Sequence, residues 1–253
     1  MRRLFPPATE LLESDALDDE ALEQAYSDEP ADFVRINFVA SADGASSLDG
    51  RAGGLGSATD QQVLRLLRDR SDGILVGAGT ARAEGYRPLR DDPVRSAARM
   101  ARGLARVAPM ILVSQRLSVE PSDPIIARAV ARTVIVTCAN SDPERREALA
   151  AVTPLIVAGE QTVDLAAART ALAGRGLRRL VCEGGPTLFG TALAAGIVDE
   201  LCLTISPMLT GPGAGRIIDG HLEIDPVRLR LRHLLEEDGY FFLRYSLDRP
   251  RPR

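Results

Sequence analysis

Short apolar runs recur along the chain from residue 33 onward, separated by polar segments. Six of these runs contain few polar positions, at residues 33–40, 73–77, 110–114, 133–137, 154–159 and 179–184. Runs of roughly four to eight residues without strict alternation are typical of strands that a parallel sheet buries on both faces. The pattern therefore predicts a mostly parallel sheet over this part of the chain.

Helical periodicity fills several of the intervals between these strands. Residues 60–70 carry apolar side chains at helical spacing, and Thr59 followed by Gln62 predicts a capping box at the start of that helix. Residues 142–152 and 163–174 are also predicted to be helices, and the second ends in glycine, as helices often do. Strands that alternate with helices indicate a layered α/β fold.

The two ends of the chain have other patterns. Residues 198–211, 227–238 and 239–248 predict antiparallel strands, with an Asp-Gly hairpin turn between the last two. Residues 1–31 are acidic and rich in proline, and we expect an irregular arm with a short helix near 18–26.

No internal repeat or linker divides the rest of the chain. The predicted organisation is therefore an acidic N-terminal extension at 1–31 and a single domain at 32–253, with a mostly parallel sheet that becomes antiparallel near its end.

Composition and charge narrow the possible functions. The chain has 253 residues, 45% of them hydrophobic, and a formal net charge of −4 at pH 7. This charge gives no positive field for nucleic acid, and no run of about 20 apolar residues would cross a membrane. Every basic residue is arginine, so lysine Schiff-base chemistry and a phosphate-loop lysine are excluded.

The cysteines and histidines predict neither a disulfide framework nor a metal site. Cys138, Cys182 and Cys202 lie far apart inside apolar runs, which indicates buried core residues in a reducing, cytoplasmic setting. His221 and His233 are the two histidines of the sequence, too few for a histidine metal cluster.

Glycine-rich segments follow several predicted strands, at residues 41–60, 77–92, 184–190 and 210–216. In open α/β sheets, ligands bind beyond the carboxyl ends of the strands. The stretch GGPTLF at 184–189 also opens a helix, whose free N–H groups and positive dipole end suit a phosphate. The sequence thus predicts a phosphate site there, next to Glu183 at a strand end.

Four stretches in order carry a family resemblance: VRINFVASADG, LRLLRDRSDGILVGAGTARAEGYRPL, MILVSQRL and EGGPTLFGTALAAGIVDELCLTISPMLTG. Over residues 33–247 the chain resembles the pyrimidine reductase domain of bacterial riboflavin biosynthesis, whose fold is that of dihydrofolate reductase. The zinc deaminase domain often joined to it has H-x-E and C-x-x-C patterns, which this sequence lacks, so we expect a stand-alone reductase.

The resemblance implies a three-layer α/β/α fold, NADPH as cofactor, and a homodimer paired through the late strands 198–206 and 227–247. It implies reduction of the ribosyl group of a 5-amino-6-(5-phosphoribosylamino)uracil-type pyrimidine to a ribityl group. No nucleic-acid or membrane partner is expected.

Site residues follow by matching motifs. The residues implied to contact the cofactor are Thr80, Glu84, Ser114, Gly184, Gly185, Pro186, Thr187 and Leu188. The implied substrate contacts are Arg68, which would reach the phosphate, and Glu183. Asp43 and Glu183 are the candidate catalytic residues, Asp43 as the acid or its orienter. Independently of the resemblance, Arg116 is a candidate for the cofactor's 2′-phosphate.

Departures from the family pattern leave two other functions open. Ser-Ala-Asp-Gly at 41–44 replaces the usual Ser-Leu-Asp-Gly, a second copy follows at 47–51, and residues 53–57 contain no tryptophan. One alternative is a pterin or dihydrofolate-type reductase, which would need a carboxylate on the first helix, where Asp60 and Asp69 lie. The other is a non-catalytic NADP-binding protein.

Overall fold

The computed structural model describes residues 1–6, 18–27, 30–220 and 224–248, so His221 lies outside the described residues. The described strands are β1 (Arg2–Phe5), β2 (Phe33–Ser41), β3 (Gly73–Gly77), β4 (Met110–Val113), β5 (Val134–Thr137), β6 (Leu155–Val157), β7 (Arg179–Cys182), β8 (Glu200–Ser206), β9 (Leu229–Glu237) and β10 (Tyr240–Leu247). The described helices are α1 (Asp19–Ala25), α2 (Ala58–Asp69), α3 (Ala78–Ala83), α4 (Pro93–Ala101), α5 (Pro124–Ala127), α6 (Pro143–Ala150), α7 (Leu165–Ala173) and α8 (Pro186–Ala194).

All ten strands belong to one sheet, in the order β1-β9-β10-β8-β2-β7-β3-β4-β5-β6. The strands β8, β2, β7, β3, β4, β5 and β6 run parallel to one another. Strands β10, β9 and β1 extend the sheet beyond β8 by antiparallel pairing. Each of the six apolar runs forms a parallel strand, so the predicted fold class is confirmed.

The sheet separates two apolar cores, which makes the fold three-layered. Alternation along β3 shows this: Ile74 and Val76 face a core with α1, α2, α5 and α6, whereas Leu75 faces the core of α7 and α8. Side chains on successive strand positions point to opposite faces, so runs of apolar residues are needed where both faces are covered.

The beginning of the chain takes part in the sheet, which the sequence did not predict. Residues 2–5 pair with β9 as a strand, and α1, at the position expected for a short helix, buries Leu22. Tyr26 at the end of α1 is almost fully buried. In its described residues, the predicted irregular arm is therefore a strand and a helix that pack on the same sheet. The predicted boundary between an N-terminal extension at 1–31 and a domain at 32–253 stays a proposal.

The hairpin between β9 and β10 turns at Asp238 and Gly239, as predicted, and both residues have positive φ (50° and 81°). Positive φ at both central positions is the geometry that Asp-Gly adopts in two-residue hairpins. The outer edge of β9 is covered by β1, so that edge is not open for the subunit pairing expected through residues 227–247.

Helix boundaries differ in detail from the predicted ones. The N-cap of α2 is Ser57, whose hydroxyl accepts from the Asp60 N–H, and not Thr59. The Thr59 hydroxyl donates instead to the Glu237 carboxylate on β9. Part of the glycine-rich segment 77–92 is helical, because α3 begins directly after β3.

A buried charged cluster lies between α1 and the sheet. Glu200 on β8 accepts hydrogen bonds from Arg35 on β2 and from Arg244 on β10, the latter at 2.6 Å. Arg244 also donates to the Ala25 carbonyl at the end of α1. Tyr26 packs its ring edge-on against His233, where burial and neighbouring arginines lower the His233 pKa to about 3. This cluster joins the N-terminal helix to four strands.

The three cysteines are buried and free, as their apolar surroundings predicted. Within the described ranges, no helix has the length and apolar character to cross a membrane, and no group of three metal-ligating side chains comes together.

Candidate active site

A cleft with a cavity volume of about 540 Å³ opens where β2, β3 and β7 reach their carboxyl ends. Its lining residues are Asn37, Phe38, Val39, Ser46, Ser47, Gly50, Ala52, Gly53, Asp60, Gln61, Leu64, Arg68, Thr80, Ala83, Glu84, Tyr86, Glu183, Gly185, Pro186 and Gly215. All four predicted glycine-rich segments contribute to it. We call this space the polar cleft.

Glu183 lies at the bottom of the polar cleft, one residue after β7. Its carboxylate accepts two hydrogen bonds from Arg68, at 2.6 and 2.7 Å, and one from the Tyr86 hydroxyl at 2.7 Å. Arg68 comes from the last turn of α2, and its guanidinium lies 5.7 Å from the centre of the Tyr86 ring. A bidentate arginine–carboxylate pair fixes both side chains in one geometry.

This arrangement changes the predicted roles. Glu183 and Arg68 both border the cleft, but they bind each other, so Arg68 does not extend freely toward a substrate phosphate. Tyr86 was missed by the sequence reasoning, although it lies two residues after Glu84 in the same motif. Burial, followed by the nearby Glu183 charge, raises the pKa of Tyr86 well above its usual range, so its hydroxyl keeps its proton.

Asp60 is a second carboxyl group in the polar cleft. It lies in the first turn of α2 and is only 6% exposed. Gly56 packs beside it: a Cβ there would lie 2.7 Å from Asp60 Oδ2. Burial raises the pKa of Asp60, and the Thr204 hydroxyl on β8 partly opposes that shift.

A second cavity of about 520 Å³ adjoins the polar cleft across Thr80, Gly185 and Pro186, which line both. Its other lining residues are Gly77, Ala78, Gly79, Val113, Gln115, Thr162, Val163, Leu165, Thr187, Leu188 and Thr191. We call it the glycine pocket. Its walls come from the carboxyl ends of β3 and β4 and from the start of α8.

The start of α8 has no side-chain cap, a feature that it shares with α3 and α5 among the described helices. Helices α1, α2, α4, α6 and α7 each have a serine or aspartate N-cap side chain bonded to a first-turn N–H. Helix α8 begins on Gly185 with no side-chain cap, followed by Pro186, which has no N–H. Because no side chain occupies this helix start, its first-turn N–H groups at Thr187 and Leu188 are accessible to an anion.

Two glycines make this turn possible. Gly184 has φ of +87°, and a Cβ there would lie 2.6 Å from the Phe38 ring. A Cβ on Gly185 would lie 2.3 Å from the Thr80 hydroxyl. The GGPTLF turn therefore brings the α8 backbone against Thr80 and Phe38 at distances that no other residue type permits.

The remaining predicted residues are distributed around these spaces. Glu84 lines the polar cleft, and its carboxylate accepts from the Ala52 N–H at 2.8 Å. Ser114 is buried, and its hydroxyl accepts from the Ser118 N–H, while its neighbours Val113 and Gln115 line the glycine pocket. The exposed Arg116 lines neither space.

Asp43 does not fit the role of the catalytic acid. Its carboxylate accepts from the Ser41 hydroxyl and from the backbone N–H groups of Gly211 and Thr210, and these bonds lower its pKa to about 2. It borders a different cavity from Glu183. A carboxyl group with this pKa is ionised near neutral pH, so Asp43 joins two loops and is a poor proton donor.

The layered α/β fold places the polar cleft at the carboxyl edge of its parallel strands, the position where open α/β sheets bind their ligands. The chain belongs to the RibD C-terminal domain family, whose model matches residues 32–239. The predicted membership of the riboflavin-biosynthesis reductase family is thereby confirmed.

Three relatives illustrate the family. A 2,5-diamino-6-ribosylamino-4(3H)-pyrimidinone 5′-phosphate reductase of Methanothermobacter thermautotrophicus is 31% identical over 206 residues, 79% of this chain and 88% of the relative. The enzyme of the same name from Archaeoglobus fulgidus is 31% identical over 190 residues, 71% of this chain and 82% of the relative. A crystal structure of a pyrimidine reductase-like protein from Corynebacterium diphtheriae is 30% identical, with a TM-score of 0.81 over 90% of this chain and 99% of that one.

Proposed function

We propose that the protein is an NADPH-dependent reductase that converts the ribosyl group of a 6-ribosylaminopyrimidine 5′-phosphate to a ribityl group in riboflavin biosynthesis. The observation that carries the proposal is the pair of adjoining spaces that share Thr80, Gly185 and Pro186. One is bordered by an uncapped helix start and the other by buried polar side chains. The names of the two archaeal relatives support the same reaction.

The glycine pocket fits a dinucleotide cofactor. The Thr187 and Leu188 N–H groups would bind its diphosphate, and the Thr80 hydroxyl would contact it where the two spaces meet. Gly79 has open space where a Cβ would lie, so the backbone is accessible there. When bound, the cofactor supplies the reducing equivalent for the ribosyl carbon.

The polar cleft would hold the pyrimidine and its sugar. Arg68 neutralises the Glu183 charge and fixes its oxygens toward the cleft, and the protonated Tyr86 hydroxyl completes this unit. Asp60 is the carboxyl group of the cleft whose pKa is raised, which suits a group that holds or releases a proton during ring opening of the sugar.

Asp60 also favours a second candidate function. A pterin or dihydrofolate-type reductase on this fold would need a carboxylate on the first helix of the core, and Asp60 on α2 lies in the cleft and is buried. Asp69, the other residue considered, forms an ion pair with Arg95 at 2.7 Å and does not line the cleft.

Incubation of the pure protein with NADPH tests the proposal. The two ribosylaminopyrimidine 5′-phosphates, one a 2,5-diaminopyrimidinone and one a 5-aminouracil, are compared with dihydropterin and dihydrofolate, following nicotinamide absorbance. Oxidation with a ribosylaminopyrimidine supports the proposal. Turnover of the pterins alone would assign the second function, and cofactor binding without turnover would leave a non-catalytic NADP-binding protein.

Gly79→Asp is expected to weaken NADPH binding by about 1–2 kcal/mol, or roughly 5- to 30-fold in Kd, because a carboxylate in the glycine pocket would repel the diphosphate. Nothing lies within 4 Å of a Cβ at this position, so the fold should persist. Gly185→Asp is a poorer variant, because its Cβ would contact Thr80.

The matched control is Gly79→Asn, which has nearly the same shape and no charge. Isothermal calorimetry should give it an affinity close to that of the unchanged protein. Equal affinity in both variants would mean that the diphosphate lies elsewhere.

A homodimer and a cytoplasmic location belong to the same proposal. Leu203, Ile205 and Leu243 are only half-buried on one face of the antiparallel part of the sheet, and Phe241 beside them is 39% exposed. An apolar sheet face of this kind is a suitable dimer interface, in place of the strand edge that β1 covers. Sedimentation velocity at micromolar concentration should give a dimer, and a monomer would contradict this part.

A further inference from the structure

One wall of the polar cleft consists of two glycine-rich loops that lie far apart in the chain. Residues 41–54 follow β2, and residues 210–216 come after β8. The lining residues that these loops contribute are Ser46, Ser47, Gly50, Ala52, Gly53 and Gly215. Neither loop lines the glycine pocket. We call the two loops together the loop wall, and it borders only the space assigned to the pyrimidine and its sugar.

Asp43 joins the two loops to each other. Its Oδ2 accepts hydrogen bonds from the N–H groups of Gly211, at 2.9 Å, and Thr210, at 3.1 Å. Its Oδ1 accepts a hydrogen bond from the Thr210 hydroxyl at 3.3 Å and another from the Ser41 hydroxyl. One carboxylate therefore binds donors from both loops.

A second contact joins the loops at the cleft itself. The Gly215 carbonyl accepts hydrogen bonds from the N–H and the hydroxyl of Ser46, at 2.8 and 3.0 Å. From the first contact to the second, the chain passes through Gly211 and Gly213, whose φ angles are +77° and +104° and whose Cβ positions are open. A stretch of this kind has many alternative backbone conformations, so its position depends on the contacts that hold it.

The first loop contains two Asp-Gly copies, and the structure separates them. Asp43 of Ser-Ala-Asp-Gly holds the second loop, whereas Asp49 of Ser-Leu-Asp-Gly is exposed and has φ of +51°. Among the described residues, no hydrogen bond or ion pair involves the Asp49 side chain, and Asp49 does not line the cleft. The two aspartates therefore differ in their contacts although they share one loop and one local sequence pattern.

We propose that Asp43 is a positioning residue that holds the loop wall in the arrangement that binds the ribosylaminopyrimidine substrate. The proposal deepens the proposed function, on which it rests for the identity of the substrate. If the wall is loose in part of the molecules, the apparent affinity for substrate falls by the fraction of protein whose wall is in place. Bound substrate selects molecules with the wall in place, so the turnover rate of the complex is retained.

Asp43→Asn tests this role. The amide keeps the shape of the side chain but loses the charge and one of the two acceptor oxygens, so the hydrogen bonds to the second loop weaken. KM for the ribosylaminopyrimidine 5′-phosphate should rise by about 5- to 20-fold, whereas kcat should stay within about 2-fold and the Kd for NADPH should not change. Asp43 is exposed and belongs to neither apolar core, so the variant should fold.

Asp49→Asn is the matched control, because it makes the same change in the same loop at an aspartate that does not bind the second loop. Its KM should equal that of the unchanged protein. A general loss of structure in Asp43→Asn would lower kcat and NADPH affinity together with the affinity for substrate. That result, or an unchanged KM, would overturn the proposal.

Hydrogen–deuterium exchange examines the loop wall without any substrate. The amides of Ser46, Thr210 and Gly211 should exchange at least about 10-fold faster in Asp43→Asn than in Asp49→Asn, while those of β3 and α8 keep their rates. Equal rates at the three amides would contradict the proposal. If the unchanged protein reduces no ribosylaminopyrimidine, the proposed function alone fails, and faster exchange confined to the loop wall still supports Asp43 as the residue that joins its two loops.

Discussion

Replacing Glu183 with glutamine is expected to lower kcat/KM by about 10- to 150-fold, equivalent to about 1.5–3 kcal/mol for hydrogen bonds to a charged group. The amide keeps the shape of the side chain but loses the charge that Arg68 and Tyr86 bind. The Arg68 guanidinium then lacks its counter-ion at the bottom of the polar cleft, and its position changes. NADPH affinity should change little, because Glu183 does not line the glycine pocket.

Asp69→Asn is the matched control. Asp69 lies on the same helix as Arg68 and also binds an arginine through two hydrogen bonds, from Arg95 at 2.8 and 2.7 Å, but it does not line the cleft. Its kcat/KM should stay within a few-fold of that of the unchanged protein. Adding Arg68→Met to Glu183→Gln should cause much less than an additive loss, because residues of one ion pair act together. Additive losses would show that the two side chains work independently.

Glu200→Gln is expected to lower the free energy of unfolding by about 3–5 kcal/mol, because it removes the carboxylate from a buried cluster that holds two arginines. Arg35, Arg244 and Glu200 are each at most 4% exposed, so water does not replace the lost charge. Urea denaturation followed by circular dichroism measures the change. The effect should include earlier loss of α1, whose end Arg244 binds through the Ala25 carbonyl.

Asp248→Asn provides the comparison at the surface. Asp248 pairs with Arg230 at 3.4 Å, and both side chains are more than half exposed. An exposed ion pair of this kind contributes about 1 kcal/mol or less. Similar midpoints for the two variants would mean that the Glu200 cluster is no more important to stability than a surface pair.

The central sheet could be predicted from the sequence because burial on both faces demands uninterrupted apolar runs, such as 73–77 and 133–137. Strand β1 could not, because Arg2 and Arg3 give an edge strand no apolar pattern. Its partner β9 lies more than 200 residues away in the chain. Pairing of such distant segments is decided by the shape of the folded sheet and not by local propensity.

The sequence predicted the backbone conformation of the site better than it predicted the contacts between the site's side chains. The GGPTLF turn has the predicted uncapped helix start because glycine and proline act locally. The binding of Arg68 to Glu183 joins residues 115 positions apart, and no local signal reveals it. Asp60 was recognised only as a helix carboxylate, because its burial near Thr204 on β8 brings together segments far apart in the sequence.

The pairing of β1 with β9 has a consequence for how the protein is made. A ribosome synthesises residues 2–5 more than 200 residues before their partner at 229–237. The sheet therefore cannot be completed while the intervening chain is being made, and residues 2–5 stay unpaired until β9 has been synthesised. Contacts between such remote segments slow folding, because the intervening chain must be ordered before they form. Closing this edge would be among the last steps of folding.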